Sequence, residues 1–292
     1  MLRQRLGLDL FLAIGIALVV LRLFNVDPWT LPIIDVHAYW ATRFGIDYTG
    51  ANPFLIGAYL YAPAFAQVLG PLTLLPFPLF AAIWTAAMVA VYAWLAGRWS
   101  FPLLLTGAFA LELYLGQIDI FIAAAIVVGF RYPVVWAFPL LTKVAPGIGL
   151  VWFAVRREWR NLAIALTATV AIAAISAMLS PSLWHDWYDL LRRSITDKQV
   201  VDGAYVGIPV WLRLPFALGI IVWGARTDRH WTVPVAVLLA TPILWINVFT
   251  LLLAAVPLRE EPGLTPARAW LLRERLLPAG VPPKAAVSPQ AG

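Results

Sequence analysis

The stretch NLAIALTATVAIAAISAMLSPSLW, residues 161–184, contains no charged side chain. A helix needs about 20 mostly apolar residues to cross the hydrocarbon layer of a bilayer, and this stretch is long enough to do so. Two other stretches, 48–97 and 231–258, also lack charge. Because apolar runs of this length exceed those in the core of a soluble domain, the sequence predicts an all-α polytopic membrane protein.

The composition of the whole 292-residue chain indicates the same class. Hydrophobic residues make up 62% of the chain and charged residues only 12%, whereas about 25% of a typical soluble domain is charged. This excludes a disordered chain, a collagen-like chain and an ordinary soluble domain. The chain has no cysteine, which excludes disulfides, zinc thiolate sites and thiol catalysis.

The few charges also orient the chain in the membrane. Excess Lys and Arg mark cytoplasmic loops. If the N-terminus, 156–160, 225–230 and the tail from 259 are cytoplasmic, that side holds 12 basic and 6 acidic residues. The polar segments 25–58 and 180–204 then face outward with 4 basic and 7 acidic residues. The net charge of +6 needs no nucleic-acid partner, since no basic stripe is interleaved with exposed aromatics.

The hydrophobic pattern predicts about eight to ten helices in one membrane domain, residues 1–258. We expect the segment 259–292 to be a Pro-rich cytoplasmic tail, with a short helix from Thr265 to Leu277 and disorder after Pro278. The predicted helical segments of the membrane domain are 7–24, 59–97 with a break at 75–78, 101–115, 118–130, 132–155, 161–179, 205–224 and 231–258 with a break at Thr241-Pro242. The segments 101–115 and 118–130 are short for full spans and could form one bent helix.

Ionisable residues that interrupt the apolar runs are the first candidates for function, because a charge inside a membrane usually faces a cavity or a partner. They are Arg22, Glu112, Asp119, Lys143 and Arg213. Lys143 lies in the middle of an apolar run. It could form a structural ion pair with Glu112 or Asp119, extend to an interface, or bind an anion.

The two outward segments hold the remaining polar candidates, and both resemble interfacial amphipathic helices. Asp35 could cap a helix at 36–44, or it could accept a proton from a sugar hydroxyl as a general base. His37 would point elsewhere on such a helix. No metal motif, phosphate-binding Gly-rich loop or nucleophile elbow is present, so we expect neither a metal nor a cofactor.

A set of short motifs follows in a fixed order along the chain. They are Asp35 with Tyr39, Tyr59-Leu60-Tyr61-Ala62-Pro63, Gly70-Pro71-Leu72, Leu75-Pro76, Trp84, Gly116-Gln117-Ile118-Asp119, Lys143 with Pro146, Ser180-Pro181-Ser182 and Thr241-Pro242-Ile243-Leu244-Trp245. Over about residues 7–258 this order resembles glycosyltransferase family 87, the polyprenyl-phosphate-mannose-dependent mannosyltransferases of the GT-C superfamily.

The resemblance implies a multi-helix GT-C fold in the plasma membrane with an outward active site. Its catalytic base would be Asp35, and its donor a polyprenyl-phosphate-linked sugar. The acceptor would be a lipid or a glycan, whose hydroxyl attacks the anomeric carbon of the donor with inversion. The protein would be surrounded by membrane lipids. Mannose comes from the resemblance alone, and arabinose or glucose stays open. Chemistry and position suggest the other candidates. Lys143 would stabilise the charge of the phosphate, with Arg192 or Arg193 as alternates. The residues that would contact the sugar or the phosphate are Gln117, Tyr61, His185 and His37.

Two departures from the family pattern keep other functions open. The chain is shorter than usual for the family. Where the family's late motif continues with Asp-His-Tyr, this sequence has Ile246, Asn247 and Val248. A transporter or lipid flippase would account for Glu112, Asp119 and Lys143 inside apolar runs, although we find no convincing inverted repeat. A non-catalytic scaffold would account for the departures.

Overall fold

The computed structural model describes residues 2–24, 33–51, 57–196 and 205–259. Contacts divide the chain into two units, Met1–Arg259 and Glu260–Gly292. The second unit lies outside the described residues, and so do the helix and the disorder predicted for the tail. The side chain of Arg22 also lies outside the described part.

The described residues are mainly helical, which confirms the predicted all-α fold class. The α-helices are α1 (Leu2–Phe24), α2 (Ile34–Ala41), α3 (Pro63–Thr73), α4 (Phe77–Ala96), α5 (Ser100–Leu104), α6 (Ala108–Leu115), α7 (Asp119–Gly129), α8 (Ala137–Thr142), α9 (Val151–Val155), α10 (Trp159–Leu179), α11 (Pro181–Thr196), α12 (Val210–Arg226), α13 (Thr232–Ala240) and α14 (Ala255–Arg259). Short 3-10 helices cover Thr42–Phe44, Gly97–Trp99, Pro133–Trp136, Ala145–Leu150 and Ile246–Ala254.

Two of the described helices are long and apolar enough to cross a membrane. They are Phe77–Leu104, which joins α4 to α5, and Trp159–Leu179. The number rises to three if the bent pair α6 and α7 forms one span. Large apolar side chains of α10, such as Val170 and Met178, are exposed on the protein surface. In water an exposed apolar face of this size would favour aggregation, whereas a bilayer solvates it.

The segment 132–155, predicted as one helix, is instead a series of short helical pieces. Two 3-10 helices, Pro133–Trp136 and Ala145–Leu150, precede α8 and α9 respectively. Between α8 and the second 3-10 helix, Lys143 adopts an extended backbone. Prolines explain part of the break, because they lack a backbone donor and restrict the residue before them. The predicted breaks near 75–78 and Thr241 are confirmed.

A short antiparallel pair of strands was not predicted from the sequence. β1 (Tyr205–Val206) pairs with β2 (Leu244–Trp245), with Tyr205 opposite Trp245. Two residues per strand are too few to show a strand pattern in the sequence. The pairing fixes the chain just before the 3-10 helix Ile246–Ala254, which contributes to the polar site described next.

The charged turns at one end of the helices contact each other. Arg156 bonds to Asp228 at 2.7 Å and to the carbonyl of Ala225 at 3.2 Å. The segments predicted to face outward also contact each other, because Arg193 donates to the carbonyls of Tyr48 and Thr49. The sequence grouped these segments in the same way, and their assignment to the two sides of a membrane stays a prediction.

Candidate active site

A sharp turn between α6 and α7 is the centre of the candidate site. The chain bends by 112° between the two helices, and Gly116 in the turn adopts a left-handed φ of +78°. A side chain at Gly116 would overlap Val36 on α2. Glycine therefore permits both the turn and the close approach of α2. The indole of Trp84 donates to the carbonyl of Gly116 at 2.9 Å and holds the turn in place.

Asp35 lies in the first turn of α2, beside that turn. The helix begins at Ile34, so Asp35 lies inside it rather than at its cap, and the capping role considered from the sequence is wrong. The Asp35 side chain is buried. The amide Nε2 of Gln117 donates to Asp35 Oδ2 at 2.7 Å.

The surroundings of Asp35 determine its ionisation. Burial raises the pKa of Asp35 from its usual range to about 7, because a carboxylate loses hydration inside the protein. The hydrogen bond from Gln117 and the positive charge of Lys143 lower this pKa, while the negative charge of Asp119 raises it. Near neutral pH the protonated and ionised forms of Asp35 are therefore similarly populated, which suits a general base.

Lys143 forms the second part of the site. Its Nζ lies 2.6 Å from Oδ1 of Asp119, which is fully buried, and the Lys143 side chain is 24% exposed. The ion pair with Asp119 considered from the sequence is therefore present. The extended backbone between α8 and the next 3-10 helix brings Lys143 to the start of α7.

Asn247 and Glu112 complete the buried polar cluster. Asn247 Nδ2 donates to Glu112 Oε2 at 3.0 Å and lies 3.5 Å from Asp119 Oδ2. Glu112 Oε1 accepts the backbone N–H of Ile120 at 3.1 Å. In the sequence Asn247 was only a departure from the family pattern. Two carboxylates on consecutive apolar helices were the signal that could have found it, since buried acceptors need a donor.

Two tyrosines connect to the same cluster from the other side. Tyr61 OH donates to Gln117 Oε1 at 3.3 Å, and the hydroxyls of Tyr39 and Tyr61 lie 3.1 Å apart. Burial raises the pKa of both tyrosines well above the usual range, so both hydroxyls stay protonated. Asp35, Gln117, Tyr61 and Lys143 from the sequence prediction thus lie in one region.

The other predicted residues make different contacts. His37 is half-buried and packs edge-on against Phe77, with ring centroids 5.4 Å apart. His185 is exposed, and its Nδ1 lies 3.6 Å from Asp189. The guanidinium of Arg193 donates to the backbone carbonyls of Tyr48 and Thr49. Arg192 is exposed on α11.

Comparison with protein families identifies the class of enzyme. The model of glycosyltransferase family 87 matches residues 59–273. This chain belongs to glycosyltransferase family 87. No curated protein and no solved structure shows a significant match to it. The family assignment, together with the apolar helices, makes the protein a membrane glycosyltransferase.

The matched region covers most of the polar cluster but not all of it. It includes Gln117, Asp119, Lys143 and Asn247 and begins after Asp35. The family match therefore covers most of the residues around Asp35 but not Asp35 itself, and the roles of all of them stay predictions.

Proposed function

We propose that this family 87 member transfers a sugar from a polyprenyl-phosphate donor to a hydroxyl of a lipid or glycan acceptor. Mannose is the preferred sugar by family resemblance. The proposal includes a multi-pass GT-C arrangement in the plasma membrane, with the reaction at the outer face. The observation that carries it is the buried carboxylate of Asp35, bonded to Gln117 beside the Lys143–Asp119 pair.

Asp35 is suited to accept the proton of the acceptor hydroxyl. Gln117 occupies its Oδ2, and within the described part of the chain no group donates to its Oδ1. In the proposed step Oδ1 takes the hydroxyl proton, and the acceptor oxygen forms a bond to the anomeric carbon. The bond from that carbon to the phosphate oxygen breaks, and polyprenyl phosphate leaves with the electron pair. A single displacement of this kind inverts the anomeric configuration.

Lys143 is the best candidate for stabilising the leaving phosphate. An ammonium group has three donors, and Asp119 accepts one of them. The Lys143 side chain is part-exposed, so its remaining donors can reach a ligand. A fixed cation beside a developing negative charge lowers the barrier to reaction. Arg193 is less suitable because its guanidinium already donates to the carbonyls of Tyr48 and Thr49.

A transfer assay with Asp35→Asn tests this function. Purified full-length protein in proteoliposomes receives labelled polyprenyl-phosphate-mannose and membrane extract as the acceptor source. Asn cannot accept the proton, so we expect transfer to fall by about 10²–10⁴-fold. The matched control is Asp228→Asn, which alters an exposed carboxylate in the other charged cluster and should change transfer less than about twofold.

Other outcomes of the same assay would contradict the proposal. Transfer by Asp35→Asn at the wild-type rate would remove Asp35 as the base. Movement of the labelled lipid across the bilayer without a glycosyl product would favour a flippase. Neither movement nor product from the wild-type protein, with an active family member as the positive control, would favour a scaffold.

A further inference from the structure

The amphipathic helix α11 is attached to the segment before α3 through side-chain donors. Trp187 Nε1 donates to the carbonyl of Leu60 at 3.0 Å. Six residues further on, Arg193 donates to the carbonyls of Tyr48 and Thr49. Leu190, between them, is almost fully buried. The helix therefore does more than lie at a surface, because its donors hold the backbone of another segment.

The hydrogen bonds from α11 reach the backbone of Tyr61 by two routes, one through Leu60 and one through Tyr48. Leu60, which accepts from Trp187, directly precedes Tyr61. Tyr48, which accepts from Arg193, donates its own hydroxyl to the carbonyl of Tyr61 at 2.6 Å. The backbone of Tyr61 is thus restrained by two contacts that both depend on α11.

Tyr61 in turn determines which end of the Gln117 amide faces Asp35. The amide has an oxygen that only accepts and a nitrogen that only donates. Tyr61 OH donates to the oxygen, and the nitrogen then donates to Asp35. With the amide turned over, its oxygen would face the carboxylate oxygen of Asp35, and the two would repel. Tyr39 supplies the next donor, with its hydroxyl 3.1 Å from that of Tyr61.

We propose that Tyr61, held by Trp187 and Arg193 of α11, is a positioning residue that orients the Gln117 amide toward Asp35. The sequence suggested Tyr61 and Gln117 as substrate contacts and Arg193 as a phosphate ligand, and the inference gives all three a different role. Its effect on sugar transfer rests on the proposed function, whereas its effect on the ionisation of Asp35 does not.

The other groups around Asp35 stay in place when Tyr61 changes, so they can be separated from its effect. Lys143 and Asp119 act on Asp35 through their charges and are bonded to each other. Glu112 is bonded to Asn247. On α2 itself, His37 packs against Phe77. Loss of the Tyr61 hydroxyl therefore changes the Gln117 amide and the Tyr39 hydroxyl, which loses its acceptor, and the variant at Gln117 separates these two effects.

The test is a pH titration of the Asp35 carboxyl by infrared spectroscopy on the full chain in nanodiscs. The protonated C=O band of Asp35 is identified by its loss in Asp35→Asn. Tyr61→Phe keeps the ring, removes the donor and lets the amide turn its oxygen toward the O–H of the protonated Asp35 carboxyl, which favours the protonated form. We expect the pKa of Asp35 to rise by about one unit, a tenfold change in its protonation equilibrium. Gln117→Leu should raise it at least as much, and Tyr61→Phe should add nothing to Gln117→Leu.

A pair of tryptophans tests the contribution of α11. Trp187→Phe removes the donor to Leu60, and we expect a smaller rise of the Asp35 pKa in the same direction. Trp184→Phe is the matched control. The Trp184 indole donates to Ser176 in the preceding helix, and Phe keeps an aromatic ring against Trp187, so the titration should be unchanged. We expect Arg193→Ala to raise the pKa of Asp35 as well, through a contact that does not involve Trp187.

Three results would overturn the inference. Tyr61→Phe could titrate as the wild-type protein does, its shift could add fully to that of Gln117→Leu, or Trp187→Phe and Arg193→Ala could both leave the titration unchanged. Because the readout needs no sugar transfer, the expected shifts in a protein without transferase activity would contradict the proposed function and leave the inference standing.

Discussion

Two clusters of charge in this protein have almost the same geometry and opposite surroundings. In the first, Lys143 lies 2.6 Å from the fully buried Asp119. In the second, Arg156 lies 2.7 Å from Asp228, which is 56% exposed. The lengths of the two ion pairs therefore do not distinguish them. What differs is the solvent, because water screens the second pair and solvates either partner alone, while a buried charge depends on its partner.

The surroundings of each cluster indicate its role. The buried pair has a neutral polar neighbour, Asn247, and two further carboxylates nearby. Glu112 bonds to the same Asn247, and Asp35 lies within electrostatic range. The exposed pair is bonded to the carbonyl of Ala225, and Arg156 also lies 5.6 Å from the centre of the Trp152 ring. The buried cluster is thus arranged around a group that can exchange a proton, and the exposed cluster joins two helix ends.

The largest expected difference between the clusters appears when the cation of the buried pair is removed. Lys143→Met leaves the Asp119 carboxylate buried without its partner. Breaking a buried pair in this way costs about 3–5 kcal/mol in the free energy of unfolding. The loss is measured as a lower midpoint of thermal or denaturant unfolding in detergent.

Two further variants separate charge from packing at this site. Lys143→Arg keeps a cation and should retain most of the stability. The double variant Lys143→Met with Asp119→Leu removes both charges and should lose less than Lys143→Met alone. A double variant less stable than the single one would show that the buried charge is not the cause.

The smallest effect is expected at the exposed pair. Asp228→Asn removes one partner of the Arg156 pair where water solvates both groups. We expect a loss of about 0–1 kcal/mol in the free energy of unfolding, which shrinks further in high salt. The same unfolding assay checks this, and a loss as large as that of Lys143→Met would contradict the comparison.

Much of this arrangement could be predicted from the sequence, because scarce charges in an apolar chain are easily found. Lys143 and Asp119 interrupt apolar runs, and their pairing was one of the predicted alternatives. Asp35 was identified through the order of motifs around it. The break between α3 and α4 was also predicted, since Pro76 ends one helical pattern and begins the next.

The rest could not be predicted, because it depends on contacts between residues far apart in the chain. Asn247 has an ordinary polar side chain, and only the fold places it between Glu112 and Asp119. His185 looked as suitable as Gln117 in the sequence, yet it lies exposed on α11, while Gln117 lies in the turn that Gly116 permits. The extended backbone at Lys143 also depends on packing, which local propensity does not report.

The pH dependence of kcat/KM for sugar transfer by the wild-type protein tests the central claim most directly. A base acts only when it is deprotonated, so activity should be lost as the pH falls through the pKa of Asp35. We predict a rise in kcat/KM with a midpoint near pH 7, the value to which burial raises this pKa, and a tenfold loss for each pH unit below it. A rate that stays constant between about pH 5 and pH 8 would contradict the assignment of Asp35 as the base.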